Sequence, residues 1–480
     1  MLLVLGISSF MITGCNNNSN KTNFHEEPAV NLVYYTIGNS DKDLKLVNQE
    51  LNKLLSKKTN TKIEYNKIAW ADYGERLATM ISSGTKFDLA FASTVTQGDY
   101  VGNAQKGAWL NLTPYLETLG NDMYRSINPL YWEGITIDNK VFGVPTNKEI
   151  AVPLMFMYPQ SLIEKYNIDI KKYRTIQSVE PLLEIIAQNE PEYIGLELDS
   201  NTNNYFAIDG YECIISHNIP LMVKSTDKSL KVVNIFETDE GKDVLSCIRR
   251  YYQLGYINED AAVKKSSNLK PNEKVFLKMS EGGPYSEISW SNDRQYKVVS
   301  QQVSDLVVTS GSTRGGIMVA NSQTQYPEKC VEVLNCINTD SEVRNLLNFG
   351  IEGIHYNLTE NNQVNKISNN YSGVQYTQGN WFILHTVVGE PFNKWDEFTI
   401  FNNSAFKSEI LGFTANTNSF QKELVAIENV WKKYYPYIMT GSVDIDYFLP
   451  QFVDELKAAG IDQVKEILQL QLQNWKQGNQ

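Results

Sequence analysis

Hydrophobic and polar positions follow two periods along the first hundred residues. NLVYYTI at 31–37 is a β-rich run, and Gly38-Asn39-Ser40-Asp41 after it is a turn with helix-capping chemistry. Leu44, Val47, Leu51, Leu54 and Leu55 then fall at helical spacing. TKIEYNKI at 61–68 alternates as a strand does, Tyr73, Leu77, Met80 and Ile81 share one helical face, and FDLAFA at 87–92 is a short apolar strand. This β-α-β-α-β order predicts a parallel sheet. Ligands of such sheets sit beyond the carboxyl ends of the strands, which here are the loops 38–41, 69–72 and 93–99.

The segment KVFGVPTNKE at 140–149 breaks the pattern. Val141 and Phe142 read as strand, and Gly143 leads into Val144-Pro145. Four polar residues, Thr146-Asn147-Lys148-Glu149, precede a new apolar run from Ile150 to Tyr158. Pro145 fixes its own φ and pushes Val144 toward extended geometry. A chain crossing between two lobes at the floor of a cleft has this pattern, and so does an ordinary surface strand-turn-strand. A second apolar segment after a glycine pair, Gly315-Gly316-Ile317-Met318-Val319-Ala320, suggests a second crossing. Between them the periodicity predicts helices over 161–166, 179–188 and 239–254, with Gly255 capping the last. Beyond them it predicts helices over 328–338 and 342–349, then three more marked by Trp431, Phe452 and Leu468.

At 480 residues the chain exceeds one hydrophobic core. Its net charge of −12 argues against nucleic acid as a partner, because phosphate binding needs a basic footprint. The first 15 residues, MLLVLGISSFMITGC, are an apolar run too short to span a bilayer, and they read as a signal peptide. No Lys or Arg precedes that run, so the usual basic start is missing or the start is misplaced. The polar tract 16–29 reads as a flexible tether. Cys213, Cys247, Cys330 and Cys336 form no CxxC and read as small buried hydrophobes, with a Cys213–Cys247 bridge left open. No metal-ligand spacing involves His25, His217, His355 or His385, and no cofactor is expected.

Five features occur in a fixed order: the ITGC ending at Cys15, the β-α-β-α-β start, SGTKFDL at 83–89, VFGVPTNKE at 141–149 and GIEGIHY at 350–356. With them the chain resembles extracellular solute-binding lipoproteins of ABC importers, in the carbohydrate-binding class that includes maltose-binding proteins. The tail from Gly412-Phe413 through KAAGIDQV at 457–464 to Trp475 resembles the C-terminal domain of unknown function of the LipO-like subgroup. The resemblance covers 12–476. It implies an α/β, two-lobed periplasmic-binding-protein-like fold with discontinuous lobes and a helical C-terminal region. The expected division is 30–147 with 318–365 as one lobe and 148–317 with 366–480 as the other. It further implies a lipid anchor on Cys15 at the outer face of the cytoplasmic membrane, ABC permease subunits as partners, a monomer, and an oligosaccharide or other polar solute as ligand.

Sugars offer hydroxyls to polar side chains and an apolar C–H face to aromatic plates, the latter adding about 0.5–1.5 kcal/mol per contact. On that chemistry the expected ligand-binding residues are Asp41, Trp70, Asn147, Lys148, Glu149, Tyr285, Trp290, Arg294, Tyr356 and Trp381. Each has a plainer reading. Asp41 caps a helix, Lys148 and Glu149 pair with one another, and the tryptophans fill cores. Trp109, Trp431 and Trp475 sit on apolar patterns and read as core, while Trp132 and Trp395 are undecided. A glycoside hydrolase is the rival reading. It needs two flanking carboxyl groups, which so acidic a chain could supply, but the chain carries no HExxH, GxSxG, P-loop or GxGxxG motif.

Overall fold

The computed structural model describes residues 28–201, 204–265 and 272–478. Cys15, the signal peptide and most of the tether lie outside them. Two sheets organise the chain. The first has the strand order Thr61–Ile68, Val30–Ile37, Leu89–Ala92, Ile317–Ala320 and Val144–Pro145. Its first three strands are parallel, with Val30 opposite Thr61 and Tyr34 opposite both Tyr65 and Leu89. Ile317–Ala320 then runs antiparallel against Leu89–Ala92. Helices Leu44–Lys58, Tyr73–Ser83 and Pro327–Thr339 bury Leu51, Leu77 and Leu334 in the core built on this sheet. Leu89–Ala92 is buried at every position, as expected of a parallel strand sealed on both faces.

The second sheet has the order Val298–Gln302, Leu154–Pro159, Val275–Glu281 and Ile194–Glu197. Its core recruits three C-terminal helices, Gln421–Met439, Ile445–Ala458 and Ile461–Gly478. Phe236 and Phe452 meet edge to face at 4.9 Å, and Leu468 and Leu472 are fully buried beside them.

The chain passes between the two cores three times. The first core runs to Ile150 and Ala151, and the second begins at Leu154. Val303 belongs to the second core, while Leu306 and Val308 return to the first, so the second passage precedes the Gly315-Gly316 pair. The second of them, Gly316, serves packing within the first lobe. A Cβ on Gly316 would stand 2.3 Å from the Tyr376 carbonyl oxygen. The third passage lies near 405–413, a region in which the sequence pattern marks no crossing. There Phe406–Lys407 pairs parallel with Val307–Val308, so two passages are hydrogen-bonded together. Tyr371 and Leu411 pack in the first core, Ile410 and Phe413 in the second.

Some local expectations differ from what forms. Val141 and Phe142 are not strand; the strand is the pair Val144–Pro145. Trp290 sits on a helix, Ser286–Arg294. Cys213 and Cys247 are free thiols, and the Cys213 sulfur instead lies 3.4 Å from His217 Nδ1. Among the described residues no group of His, Cys, Asp and Glu is arranged to hold a metal, and no helix is long and apolar enough to cross a membrane.

Candidate ligand-binding site

At the carboxyl edge of the first sheet, Trp70 follows strand Thr61–Ile68 and is 38% exposed. Its ring stacks on Tyr376, with centroids 6.0 Å apart and planes 29° apart. Tyr376 in turn meets Phe91 edge on at 6.1 Å. Burial pushes the Tyr376 hydroxyl up to about 12, against a hydrogen bond with Thr96. The Gln97 amide holds the Trp70 carbonyl. Trp70 thus presents one face to solvent from a fixed support.

Asp41 lies nearby with a different task. It pairs with Lys67, whose side chain is 1% exposed, also donates to the Ser372 carbonyl at 2.6 Å and sits 4.9 Å from the Tyr371 ring centroid. Asp41 caps no helix. Asp43 stands at the start of helix Leu44–Lys58 without a capping bond, and its carboxylate lies 3.2 Å from His355 Nε2. His355 Nδ1 accepts from the Ile351 amide at 2.9 Å, so both ring nitrogens have protein partners.

The first passage forms the centre of the waist. Asn147 is buried, and its backbone exchanges hydrogen bonds with the Gly379 carbonyl and the Trp381 amide at 3.1 and 2.9 Å. Its side-chain amide donates to Ser126 and Asn380. Lys148 Nζ donates to Glu149 Oε1 at 2.8 Å and lies 5.9 Å from the Trp381 ring centroid. The second Glu149 carboxylate oxygen is buried without a hydrogen-bond partner among the described residues. Trp381 is half-buried, with its indole N–H fixed to the Gln375 carbonyl at 3.0 Å. Trp395 and Phe398 each lie 6.2 Å from it.

Trp395 and Phe398 belong to helix Lys394–Ser404, which sequence reasoning missed as part of the site. Its Asn402 clamps the passage: the side chain donates to the Lys148 carbonyl at 2.8 Å and accepts from the Ile150 amide at 3.0 Å. The signal was faint, three aromatics and an asparagine on a helix without a clear apolar stripe. The same helix reaches the second lobe. A Cβ on Gly283 would stand 3.8 Å from the Phe401 ring. Tyr285 is half-buried there, and its hydroxyl is pushed up by burial and then by the Glu397 carboxylate.

Trp290 lies over the Gly282 backbone, where a Cβ would come within 2.5 Å of the indole. Gly282 is therefore required for the tryptophan to lie flat against the strand end. Glu281, just before it, is exposed, yet its carboxyl is raised by burial, with His217 and Lys148 lowering it again. Arg294 is not at this surface. It is 3% exposed and ion-paired with Glu197, which Lys264 and Lys278 also contact at 2.8 and 3.1 Å. Tyr356 lines a cavity of about 160 Å3 with Phe349, Lys366, Tyr371 and Gln375, built wholly from residues 348–387 of one lobe. The waist thus gathers Asn147, Lys148, Glu149 and Trp381, brings Tyr285 and Trp290 to its far rim, and leaves Arg294 inside the second lobe.

Residues 41–212 match the family of bacterial extracellular solute-binding proteins, and 409–477 match a domain of unknown function, DUF3502. A carbohydrate ABC transporter substrate-binding protein of Streptococcus pneumoniae serotype 4 is 27% identical over 92% of this chain and 90% of its own length. The N-glycan transport solute-binding protein NgtS of Streptococcus pneumoniae superposes with a TM-score of 0.85 at 26% identity, over 94% of this chain and all of that one. Over 41–212 the chain is thus similar to the bacterial extracellular solute-binding proteins, and over nearly its whole length to a carbohydrate-type member of them. The same NgtS in complex with Man5GlcNAc superposes with a TM-score of 0.72, over 94% of this chain and 99% of that one. In complex with Man1GlcNAc the TM-score is 0.74, over 93% and 99%. The fold of these relatives is two-lobed, and they are binding proteins rather than enzymes. A solute-binding protein needs rigid lobes and a deformable waist, which is the division seen between two sealed cores and three thin passages.

Proposed function

We propose that this chain captures an oligosaccharide in the waist and delivers it to the permease of an ABC importer. The observation that carries the reading is the pair of supported aromatic faces, Trp70 on Tyr376 and Trp381 between Lys148 and Trp395. Each is held by a backbone hydrogen bond or a stacked neighbour and is left partly open, as a sugar C–H face requires. Asn147 and the Lys148–Glu149 pair act as waist supports. One lobe comprises 30–151 and most of 306–408; the other comprises 152–303 and the region from 409 onward. The drop from 0.85 to 0.72 against one and the same relative supports rigid lobes whose mutual disposition changes with the bound glycan. Cys15 carries the lipid, and the tether lets the lobes reach both solute and permease.

Calorimetric titration with Man5GlcNAc and other defined oligosaccharides tests this. Wild type binds at least one of them, and Trp381→Ala weakens that binding by about tenfold or more, roughly 1.4 kcal/mol. A folded Trp381→Ala protein with unchanged affinity removes Trp381 from the site. Release of reducing ends from the same panel would replace the binder with a hydrolase. Cys15→Ser should shift the protein from the membrane to the medium.

A further inference from the structure

The ionised side chains around the waist aromatics are unevenly matched. Lys148 is bound to Glu149 at 2.8 Å, and Lys394, 4.9 Å from the Trp395 ring centroid, is bound to Glu390 at 2.6 Å. Both cations facing the tryptophans are therefore neutralised by the protein itself. The carboxylates are in surplus. The charge of Glu149 is matched by Lys148, and its second oxygen is buried without a hydrogen-bond partner among the described residues. Glu281 stands exposed at the end of its strand, beside the Trp290 platform on Gly282, with Lys148 and His217 as its nearest counter-charges. Glu397 is exposed on the waist helix opposite Tyr285.

Free carboxylates suit sugar hydroxyls, which donate to them in charge-assisted hydrogen bonds. They do not suit another carboxylate, which Glu281 and Glu397 would repel in a partly desolvated site. We infer that Glu281 and Glu397 set the charge specificity of the waist, admitting uncharged oligosaccharides and excluding those that carry uronate or sialate groups. The selectivity comes from a repulsive element as much as from an attractive one. This rests on the reading that the waist binds an oligosaccharide.

The test uses pairs that keep the sugar chain and change its charge: a sialylated biantennary glycan with the same glycan after methyl esterification of its sialates, and tetragalacturonate with its methyl ester. Titrations at about 20 mM and about 500 mM salt separate charge from shape, because salt screens exposed charges. The neutral member should bind about tenfold or more tighter at low salt, and the gap should narrow at high salt. Glu281→Gln should narrow it at low salt too, and the salt series on wild type decides the matter if that variant does not fold. A charged member bound as tightly as its neutral partner in wild type overturns the inference. Binding of no glycan in the panel overturns the oligosaccharide reading and this one with it.

Discussion

Glu197 and Glu212 show how one residue type in one lobe takes opposite states. Burial opposes the charge of Glu197, but Lys278, Arg294 and Lys264 overcome it and hold the carboxyl at about 2. Its folded value lies below its unfolded one, so the stability it contributes is present above the ordinary carboxylate range and is lost as pH falls toward 2. Arg294 acts there as a buried counter-ion, which the polar surroundings of Trp290 in the sequence do not reveal. Glu212 has no cation acting on it among the described residues. Burial raises its carboxyl to about 7, while hydroxyls of Ser408 and Ser225 pull the other way. A folded value above the unfolded 4.5 means that stability is full below 4.5 and is lost as pH rises through 7. Glu212→Gln, neutral at every pH, should therefore be about as stable as wild type near pH 4.5. By pH 8 it should be more stable by a margin on the order of 3 kcal/mol. Urea unfolding of both proteins across that range checks the sign; a gap that closes as pH rises contradicts it.

At the scale of elements, helix Lys394–Ser404 joins the waist together through Asn402. Removing both of that side chain's hydrogen bonds leaves the Lys148 carbonyl and the Ile150 amide unpaired in a buried setting. Asn402→Ala should cost about 1–3 kcal/mol of stability and weaken ligand binding, read by denaturant midpoint and calorimetry together. Unchanged stability would show that the clamp is replaceable. The N-terminal strands and helices were legible because both faces of the sheet are sealed, so Leu32, Tyr34, Leu51 and Leu77 repeat at the periods of strand and helix. The passage between Ala151 and Leu154 lies a few residues beyond the one that Val144-Pro145 and the polar run suggest. The third passage was not legible, because 405–413 pairs with Val307–Val308 across a hundred residues and leaves no local period. Trp70 and Trp381 could be named as exposed aromatics from their polar neighbours. Tyr376, which supports Trp70, could not, since the stack joins residues 306 positions apart (376 minus 70).

At the scale of the molecule, two cores share only three passages, with Val307–Val308 and Phe406–Lys407 tied to each other and the first held by Asn402. Such a waist bends by changing few backbone angles, while lobes packed on Leu334 or Leu468 stay rigid. Small-angle scattering of the purified chain, with and without a saturating oligosaccharide identified by calorimetry, tests the central claim most directly. The account predicts a smaller radius of gyration with ligand, with the scattering of each lobe fitted as a rigid body. An unchanged radius of gyration in a sample that calorimetry shows to be saturated would contradict it.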